Sequence, residues 1–174
     1  GQVDAVILAR DDYENHFSMA MPFLRKGLPV FVDKPLSLAA QELRAFKPYL
    51  ESGKLMSCSA MRYAGELDEP RATLGSYGKI KLVRGAVVNS WEKYGVHLLD
   101  AIFAVLKTKA AHVAALEAAH PSIGITMEDG SLVEIDCLGK APKTFRVDIW
   151  GEQVFSSHDI YDNFTMFRRM LWHF

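Results

Sequence analysis

The sequence has little of what would point to a membrane or a nucleic acid as its partner. None of its apolar runs approaches the roughly 20 residues that span a bilayer. Its 174 residues include 20 basic and 21 acidic ones, so the formal net charge is −1. The basic residues are scattered along the chain rather than gathered into a run. The composition therefore gives no reason to expect a membrane or a nucleic acid as a partner.

Cysteine is also scarce. The two cysteines, Cys58 and Cys137, lie far apart, form no CxxC motif and stand in strand-like apolar segments. Cysteines in such positions are typical of small buried hydrophobic side chains and not of a disulfide framework. We therefore take the cytoplasm as the default compartment.

A glycine-rich phosphate-binding turn is missing from the start of the chain. The run Val3–Leu8 predicts a strand, Tyr13–Lys26 a helix, and Leu28–Val32 a second strand that ends at Asp33-Lys34-Pro35. This order is typical of the closing β-α-β part of a dinucleotide-binding half-sheet, whose GxGxxG turn would stand upstream. We expect residues 1–59 to be the remnant of a Rossmann domain, in a chain that is cut at both ends.

The next segment predicts a helix and a short strand. Ser37 is a candidate N-cap for a helix from Leu38 to about Glu51, with Gln41 in the capping-box position. Pro48 predicts a break or kink near the end of that helix. The apolar run Leu55–Ala60 then predicts a strand.

Residues 60–174 predict an α+β domain with a largely antiparallel, open sheet and a C-terminal helix. In Lys79–Asn89 the alternation places Ile80, Leu82, Arg84 and Ala86 on one face of a strand. An amphipathic helix is predicted over Tyr94–Leu106. Asp129-Gly130, between two β-rich runs, is a strong hairpin signal. The whole chain is thus expected to be α/β, with a partial Rossmann part followed by this second domain.

Several motifs together resemble one enzyme family. The run from His16 through Gly27 to Asp33-Lys34-Pro35 resembles a signature of the Gfo/Idh/MocA oxidoreductases, which include glucose–fructose oxidoreductase and inositol dehydrogenase. Arg62-Tyr63, Gly75–Ile80 and Tyr94–Asp100 are similar to further motifs of that family, in the same order. The resemblance covers nearly the whole chain.

The resemblance implies an enzyme that binds NAD or NADP and oxidises a hydroxyl group of a sugar or polyol by hydride transfer. It implies that Lys34 lies near the nicotinamide ribose and the substrate hydroxyl, and that His97 is the catalytic acid/base. It also implies contacts with the cofactor from Asp33, Lys34, Pro35 and His16. For Arg62 it implies a contact either with the substrate or between the domains.

The sequence departs from the family pattern at several positions. Asp33 replaces a glutamate, and the loop Ala9–Asp12 replaces a shorter Thr-Pro-Asn. Lys93 stands four residues before His97, where many members carry an aspartate. A lysine there could polarise a substrate oxygen, which makes Lys93 a third catalytic candidate, but it could not act as a carboxylate that supports the base. Asp100, on the same helix face as His97, could partly substitute.

Some residues keep two interpretations. Trp91 and Tyr94 could line a sugar pocket by stacking, or they could be core residues. His97 could also be a hydrogen-bonded core histidine. His97 and Asp100 are too few to hold a metal, so no metal site is expected.

The function likewise keeps an alternative. The first reading is a fragment of an NAD(P)-dependent dehydrogenase of a sugar-like alcohol, inactive by itself because the phosphate-binding turn is missing. The alternative is a non-catalytic ligand-binding or oligomerisation module of the same fold. An unpaired edge strand, such as Val3–Leu8, would favour a homo-dimer or a higher oligomer through the sheet.

Overall fold

The computed structural model describes residues 2–174, which divide into two compact units. The first contains the residues up to Ser59 together with Phe174, and the second contains residues 60–173. Each unit has its own sheet, and each is described by itself.

The first unit is built on a parallel sheet of three strands in the order β1-β2-β3. The strands are β1 (Val6–Leu8), β2 (Val30–Val32) and β3 (Leu55–Met56). Helix α1 (His16–Leu24) connects β1 to β2, and helix α2 (Ala40–Glu51) connects β2 to β3. The predicted succession of strand, helix, strand, helix and strand is thus present, and all its pairings are parallel.

The core of this unit lies on the central strand. All three residues of β2 are buried, as expected for the middle of a parallel sheet that is covered on both faces. Ala20 and Leu24 of α1 and Phe46 of α2 are buried in the same hydrophobic cluster. Burying the larger of these side chains contributes roughly 1.5–3 kcal/mol each.

Helix α2 begins later than predicted and does not break at its proline. Its N-cap is Ala39, whose N–H donates to the Ser37 hydroxyl at 3.0 Å. The Ser37 hydroxyl in turn donates to Glu42, so the predicted cap and its pairing with Gln41 were wrong. Of the predicted break or kink at Pro48, the break is absent. The Ser52 N–H donates to the carbonyl of Pro48, so the helical turn continues although the proline supplies no N–H of its own.

The second unit contains a six-stranded sheet in the order β5-β6-β7-β4-β8-β9. The strands are β4 (Ile80–Val87), β5 (Ala110–Ala115), β6 (Ser122–Met127), β7 (Leu132–Cys137), β8 (Phe145–Gly151) and β9 (Phe155–Asp159). The helices are α3 (Asp68–Thr73), α4 (Val96–Val105) and α5 (Asn163–His173). Only β4 and β7 pair in parallel, so the sheet is largely antiparallel and the predicted fold class is confirmed.

The predicted hairpin joins β6 to β7. Asp129 and Gly130 form its turn, where the N–H of Ser131 donates to the Asp129 carboxylate at 2.9 Å. Gly130 has φ +83°, a left-handed conformation in which a Cβ would be strained. The strand β9, by contrast, was not predicted.

The inward face of β4 differs from the prediction. The pairing of β4 with β8 shifts its register between Ile80 and Leu82, which is a β-bulge. After the bulge Val83, Gly85 and Val87 are buried, while Arg84 is exposed. The prediction that Ile80 shares a face with Leu82, Arg84 and Ala86 was therefore wrong, because one extra residue reverses the alternation.

Helix α4 packs closely on the buried face of the sheet. A Cβ on Gly85 would lie 3.0 Å from a methyl group of Leu98 and 3.2 Å from one of Ile102. Leu98 and Ile102 are completely buried, as are Ile135 and Ile149 of the sheet. This packing fixes α4, and with it the residues that precede and begin the helix.

The opposite face of the sheet is polar. Arg84 forms ion pairs with Glu134 and Asp136, and Arg146 forms them with Asp148 and Asp159. Burial, the largest single influence, raises the pKa of Asp136, but hydrogen bonds from His120, Ser122 and Arg84 outweigh it and leave that pKa below its ordinary value.

Cys58 and Cys137 are buried and unbridged, as predicted. Burial raises the pKa of the Cys137 thiol to about 11, so this side chain stays protonated at neutral pH.

Within residues 2–174, none of the helices combines the length and apolarity that a membrane crossing requires.

Candidate functional site

In the first unit, the candidate cofactor residues lie where two parallel strands end. Arg10-Asp11-Asp12 follows β1, and Asp33-Lys34-Pro35 follows β2. The N–H of Asp33 donates to the carbonyl of Leu8 at 2.9 Å, which keeps the two strand ends together. The carboxyl edge of such a sheet is where α/β proteins generally bind their ligands.

His16 connects the two loops. Its ring is completely buried, with Nδ1 3.0 Å from the Pro35 carbonyl and Nε2 2.8 Å from the Arg10 carbonyl. A neutral imidazole donates to one carbonyl at a time, whereas an imidazolium donates to both. His16 was predicted as a cofactor-binding residue. Its burial and its two backbone partners favour a positioning role for the loop that carries Lys34.

Lys34 is held beside the first loop. Its Nζ lies 3.8 Å from Oδ1 of Asp11, and its side chain is 14% exposed, whereas that of Asp11 is 65% exposed. The peptide bond between Lys34 and Pro35 is cis. In the neighbouring part of the first loop, hydrogen bonds from Arg10 and Asn15 hold the pKa of Asp12 well below its ordinary value. No pattern in the sequence indicated that Asp11 would be the partner of Lys34.

In the second unit, a π-helical turn precedes α4. The turn is Trp91–Gly95, and it continues directly into α4 at Val96. A Cβ on Gly95 would lie 2.6 Å from Cε3 of Trp91 and 2.9 Å from Cδ2, closer than real contacts allow. A side chain at position 95 is therefore excluded while the indole stays in place. The predicted helix began at Tyr94, so the π-helical turn that starts at Trp91 was not predicted.

Tyr94 and His97 form an aromatic cluster with Phe145 of β8. The rings of Tyr94 and His97 meet edge to face with centroids 5.4 Å apart, and Phe145 lies 6.1 Å from Tyr94 and 6.2 Å from His97. His97 is half-buried rather than part of the closed core. The cluster fixes the imidazole against two rings and leaves part of it accessible. Phe145 was not among the predicted residues, because it comes from a strand about fifty positions later in the chain.

Arg62 and Asp100 form an ion pair. Nη2 of Arg62 donates to Oδ1 of Asp100 at 3.1 Å, and the Asp100 side chain is 18% exposed. A second arginine, Arg71, donates to the backbone carbonyl of Arg62 at 2.6 Å. The carboxylate of Asp100, which the sequence suggested as a support for His97, thus has Arg62 as a partner. The Arg62 side chain is 41% exposed, so part of it stays accessible to solvent.

Lys93 and Tyr94 also line an open groove of about 490 Å³ in the second unit. Its other polar side chains are those of Asn89, Ser90 and Lys140. Lys140 was not singled out in the sequence, because the loop after β7 has no pattern that marks it. Trp91 is not among the groove's lining residues, which favours its interpretation as packing against Gly95.

Metal ligands are not gathered anywhere in the described part of the chain. Across residues 2–174, no group of three or more His, Cys, Asp or Glu side chains is placed to hold a metal ion. The predicted residues instead form two sets, one in each unit. His16, Lys34 and Pro35 come together in the first, and Lys93, Tyr94 and His97 follow one another in the second, with Arg62 paired to Asp100.

Comparison with known proteins gives relatives by structure but not by sequence. No protein-family model matches the sequence, and no curated protein matches it. Among solved structures, the myo-inositol 2-dehydrogenase from Lactobacillus plantarum is 16% identical, with a TM-score of 0.80 over 90% of this chain and 57% of that chain. The apo scyllo-inositol dehydrogenase from Lactobacillus casei is 14% identical, with a TM-score of 0.76 over 90% of this chain and 56% of that one.

A third similar structure is GenD2 from gentamicin A biosynthesis, in complex with NAD. It is 18% identical, with a TM-score of 0.77 over 92% of this chain and 56% of that chain. The chain thus spans a little over half the length of the solved structures that it matches. Over about nine-tenths of its own length it shares the fold of these solved structures, which agrees with the fold that the resemblance in the sequence implied.

Proposed function

We propose that this chain is part of an NAD(P)-dependent oxidoreductase that removes hydride from a hydroxyl-bearing carbon of a sugar, a polyol or a related small molecule. The observation that carries the proposal is the shared fold, since two of the similar structures are described as inositol dehydrogenases and a third, GenD2, is in complex with NAD. Fold alone does not define an activity. The proposal therefore also depends on the placement of Lys34 and His97.

The first unit supplies residues that suit one end of the cofactor. Lys34, with Asp33 and Pro35, stands at the carboxyl edge of the parallel sheet and is positioned through His16. A bound NAD or NADP would supply the hydride acceptor. Residues 2–26 contain no glycine, so the turn that cradles a pyrophosphate is not among them. The residues present thus fit contacts at the nicotinamide end and do not fit the binding of the whole dinucleotide.

The second unit supplies residues that suit the substrate. His97 would take the hydroxyl proton, because it is half-buried, accessible and oriented by Tyr94 and Phe145. Lys93 would stabilise negative charge on an oxygen of the substrate. Arg62 would contact a further substrate oxygen while it remains paired with Asp100.

The activity is tested in the full-length protein that carries this segment. NAD⁺ or NADP⁺ reduction is followed at the nicotinamide absorbance with a panel of inositols and sugars. His97→Asn should lower kcat by about 10²–10⁴-fold, the usual contribution of a general base, and Lys34→Ala should lower it as well. Lys107→Gln, a change at an exposed position of the second unit, is the matched control and should leave kcat unchanged. Unaltered turnover in His97→Asn would refute the proposal.

The interpretation of this chain as a fragment of a longer dehydrogenase is tested separately with the 174-residue chain. A fluorescence titration with NADH and NADPH should show no saturable binding up to millimolar concentrations, because the pyrophosphate cradle is missing. Saturable binding in the low micromolar range would show that no further dinucleotide-binding segment is needed.

A second candidate is a non-catalytic ligand-binding module. Lys93, where the family's pattern has a carboxylate, favours it, because a lysine cannot support a base in the same way. Such a module would bind its ligand in the second unit and would tolerate His97→Asn with an unchanged Kd. A dehydrogenase would lose turnover in the same variant, so one substitution distinguishes the two functions.

We also propose that the chain assembles through its six-stranded sheet. All six residues of β5 are exposed, and β5 lies at the sheet edge with one unpaired side. Such an edge invites pairing with a second copy. Light scattering at micromolar concentrations should therefore give at least a dimer, and Val113→Lys, which adds charge to the edge, should shift the mass towards the monomer. A monomeric wild-type chain would refute this assembly.

A further inference from the structure

The groove of the second unit is lined by two basic side chains. They are Lys93 and Lys140, and none of the other lining residues is acidic. The whole chain has a formal net charge of −1, so this composition is a local feature of the groove. Ser90 and Asn89 add groups that can donate hydrogen bonds to an anion.

The two lysines stand on chain segments that the backbone holds together. The N–H of Asn89 donates to the Gly139 carbonyl at 2.9 Å, and the N–H of Leu138 donates to the Val87 carbonyl at 2.7 Å. Asn89 and Gly139, with φ of +64° and +60°, both adopt the left-handed conformation at this bridge. A non-glycine residue in that conformation is uncommon and indicates a specified turn. The two segments that carry the lysines are thus connected by backbone hydrogen bonds.

The groove also adjoins the candidate base. Tyr94 lines the groove and contacts His97, with ring centroids 5.4 Å apart. An aromatic face beside a polar groove suits the apolar face of a sugar ring. A ligand with an anionic group between the lysines would therefore place its neighbouring hydroxyl groups towards Tyr94.

We propose that this groove binds the anionic group of a sugar that bears a phosphate or a carboxylate, with Lys93 and Lys140 as the cationic contacts. The inference rests on the proposed function, since it names the class of sugar on which that activity acts. Every residue that lines the groove belongs to residues 60–173, so the groove is formed within the second unit.

Isothermal titration of the 174-residue chain tests the proposal with three probes, which are glucose 6-phosphate, glucuronate and glucose. At least one anionic probe should bind about tenfold more tightly than glucose, and the tighter of the two identifies the anionic group. Lys93→Gln and Lys140→Gln should each weaken its binding by about tenfold, which is about 1.4 kcal/mol. Lys107→Gln should have no effect. Binding should also weaken as salt increases, because the groove is open to solvent.

Three results would overturn the inference. They are equal affinity for glucose and for the anionic sugars, anionic binding that survives both lysine substitutions, and binding of inorganic phosphate as tight as that of glucose 6-phosphate. His97-dependent oxidation of neutral polyols by the full-length protein, without any preference for anionic sugars, would overturn the inference and leave the proposed function intact. Lysine-dependent binding of anionic sugars without any hydride transfer would support the groove and refute the proposed function.

Discussion

Gly95→Ala should destabilise the second unit through a single contact, that between position 95 and the indole of Trp91. The new Cβ would lie 2.6–2.9 Å from three atoms of that ring. The backbone itself would accept alanine, because Gly95 has φ −57° and ψ −36°, the ordinary helical conformation. The whole cost must therefore come from the displaced indole.

The expected magnitude combines two opposing effects. Forcing an extra methyl group into a filled site costs typically about 1–3 kcal/mol. Replacing glycine by alanine in a helix returns about 0.8–1 kcal/mol. The net loss in the free energy of unfolding should thus reach up to about 2 kcal/mol in urea denaturation, together with a change in near-ultraviolet circular dichroism as Trp91 moves.

Two controls make this prediction refutable. Gly75→Ala is matched, because a Cβ there meets nothing within 4 Å, and it should be neutral or slightly stabilising. In a Trp91→Ala background, Gly95→Ala should cost nothing, because the atoms it would strike are gone. A double-mutant cycle measures this coupling. Equal destabilisation of the two glycine variants, or a cost for Gly95→Ala that persists without the indole, would show the reasoning to be wrong.

Three further predictions concern other parts of the chain. Because the pKa of Asp136 is lowered in the fold, this carboxylate stabilises the folded state above the ordinary carboxyl pKa, and the stabilisation is lost as pH falls below about 4. Asp136→Asn should therefore reduce the fall in the free energy of unfolding at acid pH. Asp159→Asn, at an exposed position, should not. Gly151→Ala should prevent stable folding, seen as lost cooperativity in thermal unfolding, because its Cβ would collide with the carbonyl of Tyr77. His16→Leu should lower the free energy of unfolding in urea by about 1–3 kcal/mol, since it leaves buried loop carbonyls without their donor.

Local patterns were sufficient for much of the fold. The apolar runs around β1 and β2, and the helical spacing between them, predicted the parallel β-α-β arrangement because each feature is encoded within a few neighbouring residues. Asp129-Gly130 predicted the hairpin for the same reason, since its turn is formed by its own side chain and conformation. The order of motifs from His16 to Asp100 also predicted the fold that the similar solved structures share.

Long-range pairing was beyond these patterns. The parallel contact of β4 with β7 joins segments about fifty residues apart, and the bulge after Ile80 depends on how β8 pairs with β4. Neither feature can be recognised in the local sequence. The alternation of apolar and polar residues in a strand is compatible with either pairing register until the partner strand is known. The capping prediction at Ser37 was wrong as well, because the helix begins at Ala40 and the Ser37 hydroxyl donates to Glu42 instead.

The sequence by itself determined which residues are candidates for the site, namely Lys34 after a buried strand and His97 at the start of an apolar helix. Only the tertiary structure decided their surroundings. It placed His16 between two loop carbonyls, Phe145 against His97, and Lys140 in one groove with Lys93. The physical reason is that each of these neighbours comes from a segment remote in sequence, and only the packed sheets and their backbone hydrogen bonds bring such segments together.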